Sequence, residues 1–172
     1  MESYPWYCLA TGEMPITQGD IIEECQILKP EEDVERGQIT ATVQVYDAIV
    51  MSQACDLQHG KLEIVLVCPV FSLENAQKNV ERLRGKKGKE KLRRGEEPAL
   101  HLLNMSDIET LQRDFLVVDF RSTFGVPFES LKRMAEERDR LRLLPPYREH
   151  LSQAFARFIM RVGLPTDIPS FT

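Results

Sequence analysis

Residues 48–70 read Ala48-Ile49-Val50-Met51-Ser52-Gln53-Ala54-Cys55-Asp56-Leu57-Gln58-His59-Gly60-Lys61-Leu62-Glu63-Ile64-Val65-Leu66-Val67-Cys68-Pro69-Val70. Two apolar runs, Ala48 to Ser52 and Leu62 to Val70, flank a short polar link, Asp56 to Gly60. Such runs, rich in β-branched residues, predict central strands buried on both faces. The link, ending in Gly60, predicts a hairpin-like connection. Upstream, Ile39, Ala41, Val43 and Val45 alternate with Thr40, Thr42 and Gln44, which predicts a strand with one buried face. Residues 29–38 are polar, contain Pro30 and Gly37, and read as a loop. Gln18-Gly19-Asp20-Ile21-Ile22 reads as a turn entering a strand, with Gly19 and Asp20 supplying the turn chemistry.

Downstream, Ser72 to Arg94 reads as helical. Ser72 is its cap and Glu74 and Asn75 occupy its first turn, while Gly85 and Gly88 weaken its second half. Leu100 to Met105 and Phe115 to Arg121 are further strands. Glu129 to Arg142 is heavily charged and reads as helix. Pro145-Pro146 then interrupts the chain and opens another helix. Its apolar positions Leu151, Ala154, Phe155, Phe158, Ile159 and Val162 form one stripe at helical period. Gly163 and Pro165 mark its end. No internal repeat is present. The expected class is α+β, mainly β.

Three segments occur in a telling order: Gly19-Asp20-Ile21, then Ala48-Ile49-Val50-Met51-Ser52, then Ile64-Val65-Leu66-Val67-Cys68-Pro69-Val70. Over residues 16–73 this progression resembles the MazF/PemK family of toxins. There a Gly-Asp-hydrophobic strand precedes a hydrophobic strand ending in Ser and another ending in Cys-Pro. The resemblance implies a small SH3-like, PemK-like β-barrel, often a homodimer, related to metal-independent RNA endonucleases of bacterial toxin-antitoxin systems. It also implies an organisation in which residues 1–125 form the barrel, with a basic helical insertion near 72–94. Residues 126–172 would then be a C-terminal helical extension packed on it. In that family a glycine- and arginine-rich loop feeds the active site. Arg36 and Gly37 are its counterpart here, while Tyr46-Asp47 stand where the family carries an Arg-Pro pair.

Cleaving RNA needs a base for the 2′-hydroxyl, a cation for the phosphorane and an acid for the leaving oxygen. Arg36 is the candidate cation, Asp56 or His59 the base, and Ser52 a group orienting the phosphate. Each also has a plain structural reading: a solvated loop arginine, a turn cap, a strand end. Cys55 and His59 sit four apart, but structural zinc wants two such pairs and no Cys-x-x-Cys exists, so no metal and no cofactor are expected. Cys55 paired with His59 or His101 is a candidate nucleophile, against the plain reading of an inert thiol.

The chain carries a net charge of −5, which excludes a uniformly basic nucleic-acid binder. Yet between Lys78 and Arg94 nine cations face only Glu81 and Glu90, a local excess of seven positive charges. Arg84, Lys86, Lys87, Lys89, Lys91, Arg93 and Arg94 are the candidate phosphate-backbone contacts. No aromatic residue is interleaved to stack bases. The alternative is a solvated face. Arg157 and Arg161, four apart on the last helix, are candidates for binding a partner's carboxylates. The four cysteines are widely spaced, Met1 to Pro15 lacks a basic leader, and no apolar run approaches membrane-spanning length. Free thiols, a cytoplasmic location and no membrane association are therefore expected. Two functions remain open. One is a non-catalytic binding module for an RNA or protein partner, which the altered loop favours; the other is an endoribonuclease.

Overall fold

The computed structural model describes residues 4–30 and 41–160. In chain order it holds β1 (Tyr7–Ala10), β2 (Ile21–Pro30), β3 (Ala41–Val50), α1 (Ala54–Gln58), β4 (Ile64–Ser72), α2 (Leu73–Asn79), a 3-10 turn (Glu81–Leu83) and α3 (Lys86–Arg93). There follow β5 (Leu100–Leu103), a second 3-10 turn (Glu109–Leu111), β6 (Leu116–Asp119), β7 (Phe124–Pro127), α4 (Phe128–Glu136), β8 (Arg140–Leu143) and α5 (Tyr147–Ile159). The class is α+β, as expected.

Six strands form one antiparallel sheet in the order β2-β3-β4-β6-β5, with β7 also on β4. The long strand β4 organises it. On one flank Val67 to Val70 pair with β3, while on the other flank the first half pairs with β7 (Ile64↔Pro127 to Val67↔Phe124) and the second with β6 (Val70↔Val118 to Ser72↔Leu116). Strands β1 and β8 form a separate ribbon from Tyr7↔Leu143 to Ala10↔Arg140. That ribbon is tied to the sheet through Gly19 and Asp20. Leu143 N donates to Gly19 O (3.0 Å), while Gly19 N donates to Val50 O and Val50 N to Asp20 O, both at 2.9 Å. Gly19 adopts φ +86°, and an added Cβ would lie 3.0 Å from Leu143 Cβ, so the turn needs glycine on both counts. Among the described residues no pairing joins β2 to β5, and the sheet is not a closed barrel.

The expected burial on both faces holds where β3 and β4 pair, because each face there has its own core, but not in the first half of β4, where Ile64 and Leu66 are 51% and 42% exposed. Ile49, Cys68 and Val70 enter a first cluster with Tyr7, Ile21, Leu103, Val118, Leu141, Leu143 and Leu151. Ala48, Val50, Val65 and Val67 enter a second with Ile22, Cys25, Ile27, Val126, Leu131 and Ala135. A third, smaller cluster of Ala76, Leu83, Leu92, Leu100 and Val117 seats the basic segment on β5 and β6. All four cysteines are free; burial pushes the Cys25 and Cys68 thiols up to about 11, so both are inert fillers.

Several expectations change. Ala48 to Val50 is the end of a single ten-residue strand that starts at Ala41. Its outer half turns the expected face outward. Val43 and Val45 are 56% and 55% exposed, while Tyr46 packs beside Phe124 and Phe71, because this half runs beyond the core with only β2 beside it. The link between the central strands is a short helix, α1, rather than a plain hairpin connection. The charged helix ends at Glu136, and the chain returns as β8, whose alternating Arg-Leu-Arg-Leu sends Leu141 and Leu143 into the first core. Residues 126–172 thus contribute a strand to the fold as well as helices, and the boundary at 125 falls inside β7. The last helix does pack as its stripe predicts. Leu151 is fully buried, and Phe155 and Phe158 lie with ring centroids 5.3 Å and 5.9 Å from that of Phe120. Ile159 is 62% exposed, and Val162 and Gly163 lie outside the described residues.

At the junction of ribbon and sheet, the fully buried Asp20 carboxylate accepts from Arg140 Nε (2.8 Å), Arg142 Nε (2.6 Å), Arg142 Nη2 (3.0 Å) and Thr17 N (3.2 Å). Arg140 is equally buried. Its remaining donors go to Thr11 O, Ala135 O, Met14 O and Pro15 O at 2.7 to 3.2 Å. Removing one partner of such a pair leaves a buried charge uncompensated. Asp20→Ala and Arg140→Met are each expected to lower stability by about 3–5 kcal/mol. Arg142→Gln, at a site where the side chain retains 19% exposure, should cost less, about 1.5–3 kcal/mol. Urea denaturation of the three variants checks the ranking, and equal losses at all three positions would refute it.

Candidate nucleic-acid interface

Of the four residues expected to act on RNA, Ser52, Asp56 and His59 lie among the described residues. Ser52 is buried, and its Oγ accepts from Leu66 N at 2.9 Å while Met51 N donates to Leu66 O at 2.8 Å. The hydroxyl thereby extends the join between β3 and β4 beyond Val50. Asp56 lies in the first turn of α1 with Lys61 Nζ at 3.9 Å, and His59 is the exposed C-cap of the same helix. Arg36 lies outside the described residues. Cys55 is exposed on α1, and among the described residues no group of three His, Cys, Asp or Glu is placed to hold a metal.

The basic segment is ordered into a docked platform. Ser72 caps α2 by accepting from Asn75 N at 3.2 Å, as its sequence suggests. After Val80 the chain tightens into the 3-10 turn, then restarts as α3 with Gly85 as its N-cap. Gly88 and Leu92, four apart, are the buried face of α3. At Gly88 the helix comes so close to the 3-10 turn that an added Cβ would sit 1.8 Å from Arg82 O. Leu92 fills the third core beside Leu83 and Leu100. The other helix positions are charged and face outward.

The seven expected contacts then divide into two kinds. Arg84 donates to Gln77 O (3.1 Å) and Lys78 O (2.9 Å), closing the end of α2. Arg93 holds Glu90 at 2.9 Å and keeps that carboxyl below its usual range. Arg94 reaches Glu90 O at 3.3 Å and lies 3.6 Å from Glu96. Lys86, Lys87, Lys89 and Lys91 are exposed and make no ion pair among the described residues. Glu90 is the acid on the same helix; it is held by Arg93, and of the four lysines Lys86 also contributes to its lowered range.

Beside this platform a cleft of about 700 Å³ opens between the end of α3, β5 and α5. Arg93 and Arg94 line one side and His150 and Arg157 the other, with His101 and Trp6 between them. His101 stacks at 6.2 Å on Phe120, and its imidazole is pushed down to about 4 by burial, reinforced by the charges of His150 and Arg157. Trp6 stacks on Tyr147 at 3.7 Å. Among the described residues the one carboxylate lining the cleft, Glu97, is held by Arg82 at 2.8 Å. Arg157 makes no ion pair among the described residues. His150, Gln153, Ala154 and Arg157 fall at i, i+3, i+4 and i+7 and turn one face of α5 to the cleft. That spacing is visible in the sequence but passes unnoticed beside the stronger apolar stripe. Trp6 had no sequence signal, because nothing local places it opposite α3.

No protein-family model, no curated protein and no solved structure matches this chain. The reading of its surface therefore rests on its own geometry.

Two predictions test how this surface is built. By helix preference alone Gly88→Ala would stabilise by up to about 1 kcal/mol. The collision with Arg82 O reverses the sign. A loss of about 1–3 kcal/mol is expected, with faster amide exchange over Lys86 to Arg93. A more stable variant with unchanged exchange would refute the docking. The second concerns pH. Unfolded, His101 takes up its proton near pH 6.5, whereas in the fold it stays neutral down to about 4. Its contribution is thus complete above pH 6.5 and is lost as pH falls towards 4, by up to on the order of 3 kcal/mol. His101→Gln should flatten the stability curve over that window; an unaltered curve would show that the ring is solvated.

Proposed function

We propose that this chain is a non-catalytic module, a divergent relative of the MazF/PemK barrels in a bacterial system, that binds RNA along its phosphate backbone through α3. One observation carries the reading: four exposed lysines, none in an ion pair among the described residues, stand on a helix clamped to the body by Gly88 and Leu92. A clamped cationic face can neutralise phosphates without first ordering itself, so less of the gain is offset by lost entropy. The lack of interleaved aromatics on α3 fits sequence-tolerant backbone contact. The alternative endonuclease reading draws little support, since the Ser52 hydroxyl already serves Leu66 N.

Fluorescence anisotropy with labelled single-stranded RNA, titrated with salt, tests the proposal. Replacing Lys86, Lys87, Lys89 and Lys91 by Ala should weaken binding on the order of tenfold or more at low salt and reduce the slope of log K against log salt by roughly 3. The RNA should remain full length throughout, with or without divalent metal. Binding unaffected by the four substitutions, or absent altogether, overturns the reading; capture of a protein partner through the same lysines would replace it.

A further inference from the structure

From the cleft beside α3 we infer a second, more selective element of this surface: a site for a phosphomonoester. The inference deepens the RNA-binding reading and rests on it for one of its two ligand sources.

The cleft gathers three guanidinium and two imidazole groups from three elements. Arg93 and Arg94 come from the end of α3, His101 from β5, and His150 and Arg157 from α5. Among the described residues the one acid on its wall, Glu97, is already bound to Arg82. Arg93 and Arg94 are partly balanced by Glu90 and Glu96, whereas burial first, and then repulsion from the charges of His150 and Arg157, lower the proton affinity of His101. An anion in the cleft relieves the repulsion. A guanidinium offers a planar fork matched to phosphate oxygens, and each imidazole offers an N–H. The Arg157 fork is uncommitted among the described residues, and the His101 side chain makes no hydrogen bond there either. A phosphomonoester is the ligand class that uses this set best. It carries up to two charges on one group and three terminal oxygens, against one charge for an internal phosphodiester.

The volume, about 700 Å³, exceeds what one phosphate fills. The remaining space lies beside Trp6, an aromatic group able to contact a nucleobase. The last turn of α3 forms one wall, so a strand running along the lysines meets the cleft at its end. Two sources present the required group: the phosphorylated terminus of an RNA strand, and a free nucleoside monophosphate.

Trp6 is the sole tryptophan of the chain and lines the cleft, so its fluorescence reports occupancy. The experiment uses the full chain with three probes: one oligoribonucleotide bearing a terminal phosphate, at the 5′ or the 3′ end; the same strand bearing hydroxyl termini; and adenosine monophosphate. Phosphorylated RNA should bind about tenfold tighter than the hydroxyl form and should change Trp6 emission, whereas the hydroxyl form should leave it unchanged. Arg157→Gln, a substitution at an exposed position that spares the core, should erase the difference; His101→Gln is the second variant. If both RNAs bind equally, through the lysines and without a Trp6 response, and the monophosphate also gives none, the site does not exist while the RNA-binding reading stands. If neither RNA binds but the monophosphate perturbs Trp6 in an Arg157-dependent manner, the site stands with a small-molecule source and the RNA-binding reading falls.

Discussion

One buried carboxylate holds the ribbon of β1 and β8 against the main sheet. Taking Asp20 and Arg140 out of water carries a large desolvation cost, and only near-complete hydrogen bonding recovers it. The structure meets that condition. All five N–H donors of Arg140 are used, one on Asp20 and four on main-chain carbonyls from the 11–15 loop and the end of α4. The pair therefore does more than join two charges. It gathers a loop, a helix end, a turn and a strand around one point. It also fixes register: slipping β8 by one residue would set leucines against Asp20 and drive arginines into the first core.

From that junction the architecture runs through β4. Because β4 is divided between β7 and β6 on one flank, its two halves carry different loads. The half beside β7 is covered by α4 and the second core. The half beside β6 leads to β5 and the third core, where the basic segment rests. The cleft is therefore set by three separate placements: α3 by Gly88 and Leu92, β5 by its pairing with β6, and α5 by Leu151 and the phenylalanines against Phe120. None of these requires the others' sequence to be nearby.

This explains what the sequence disclosed. The central strands were legible because burial on both faces from Val67 to Val70 and from Ala48 to Val50 leaves apolar runs, though Ile64 and Leu66 extend the run on an exposed face, and α5 because its stripe follows the helical period. The basic segment was legible as charge but not as a platform, since Gly88 in isolation argues against helix, and its reason is a contact with Arg82 O. β8 was hidden by composition. Arg140 and Arg142 look like a solvated face continuing a charged helix, and only the partner at Asp20, 120 residues away from Arg140, makes burial tolerable. The alternation Arg-Leu-Arg-Leu was the one local hint. β1 was missed for a similar reason: four residues beginning at Tyr7 carry no period long enough to read. Candidate chemistry followed the same rule. Ser52 reads in sequence as a group orienting a phosphate or as a strand end, and its contact with the Leu66 N–H, 14 residues away, is not legible locally.

Charge placement is the remaining constraint on function. With the whole chain at −5 and an excess of seven positive charges between Lys78 and Arg94, the rest of the molecule is strongly acidic. The net charge of the remainder opposes a polyanion on average, and screening confines each field to about 8 Å at physiological salt. Contact is thereby biased before it is made, because the positive excess is concentrated in one short segment. Orientation is useful only if the attractive face keeps its position relative to whatever lies beside it. The burial of Gly88 and Leu92 supplies that rigidity, which holds the lysine helix and the histidine-arginine cleft at a fixed spacing. A frayed lysine tail of the same composition would have the charge without the geometry, and would distinguish neither the path of a strand nor its end.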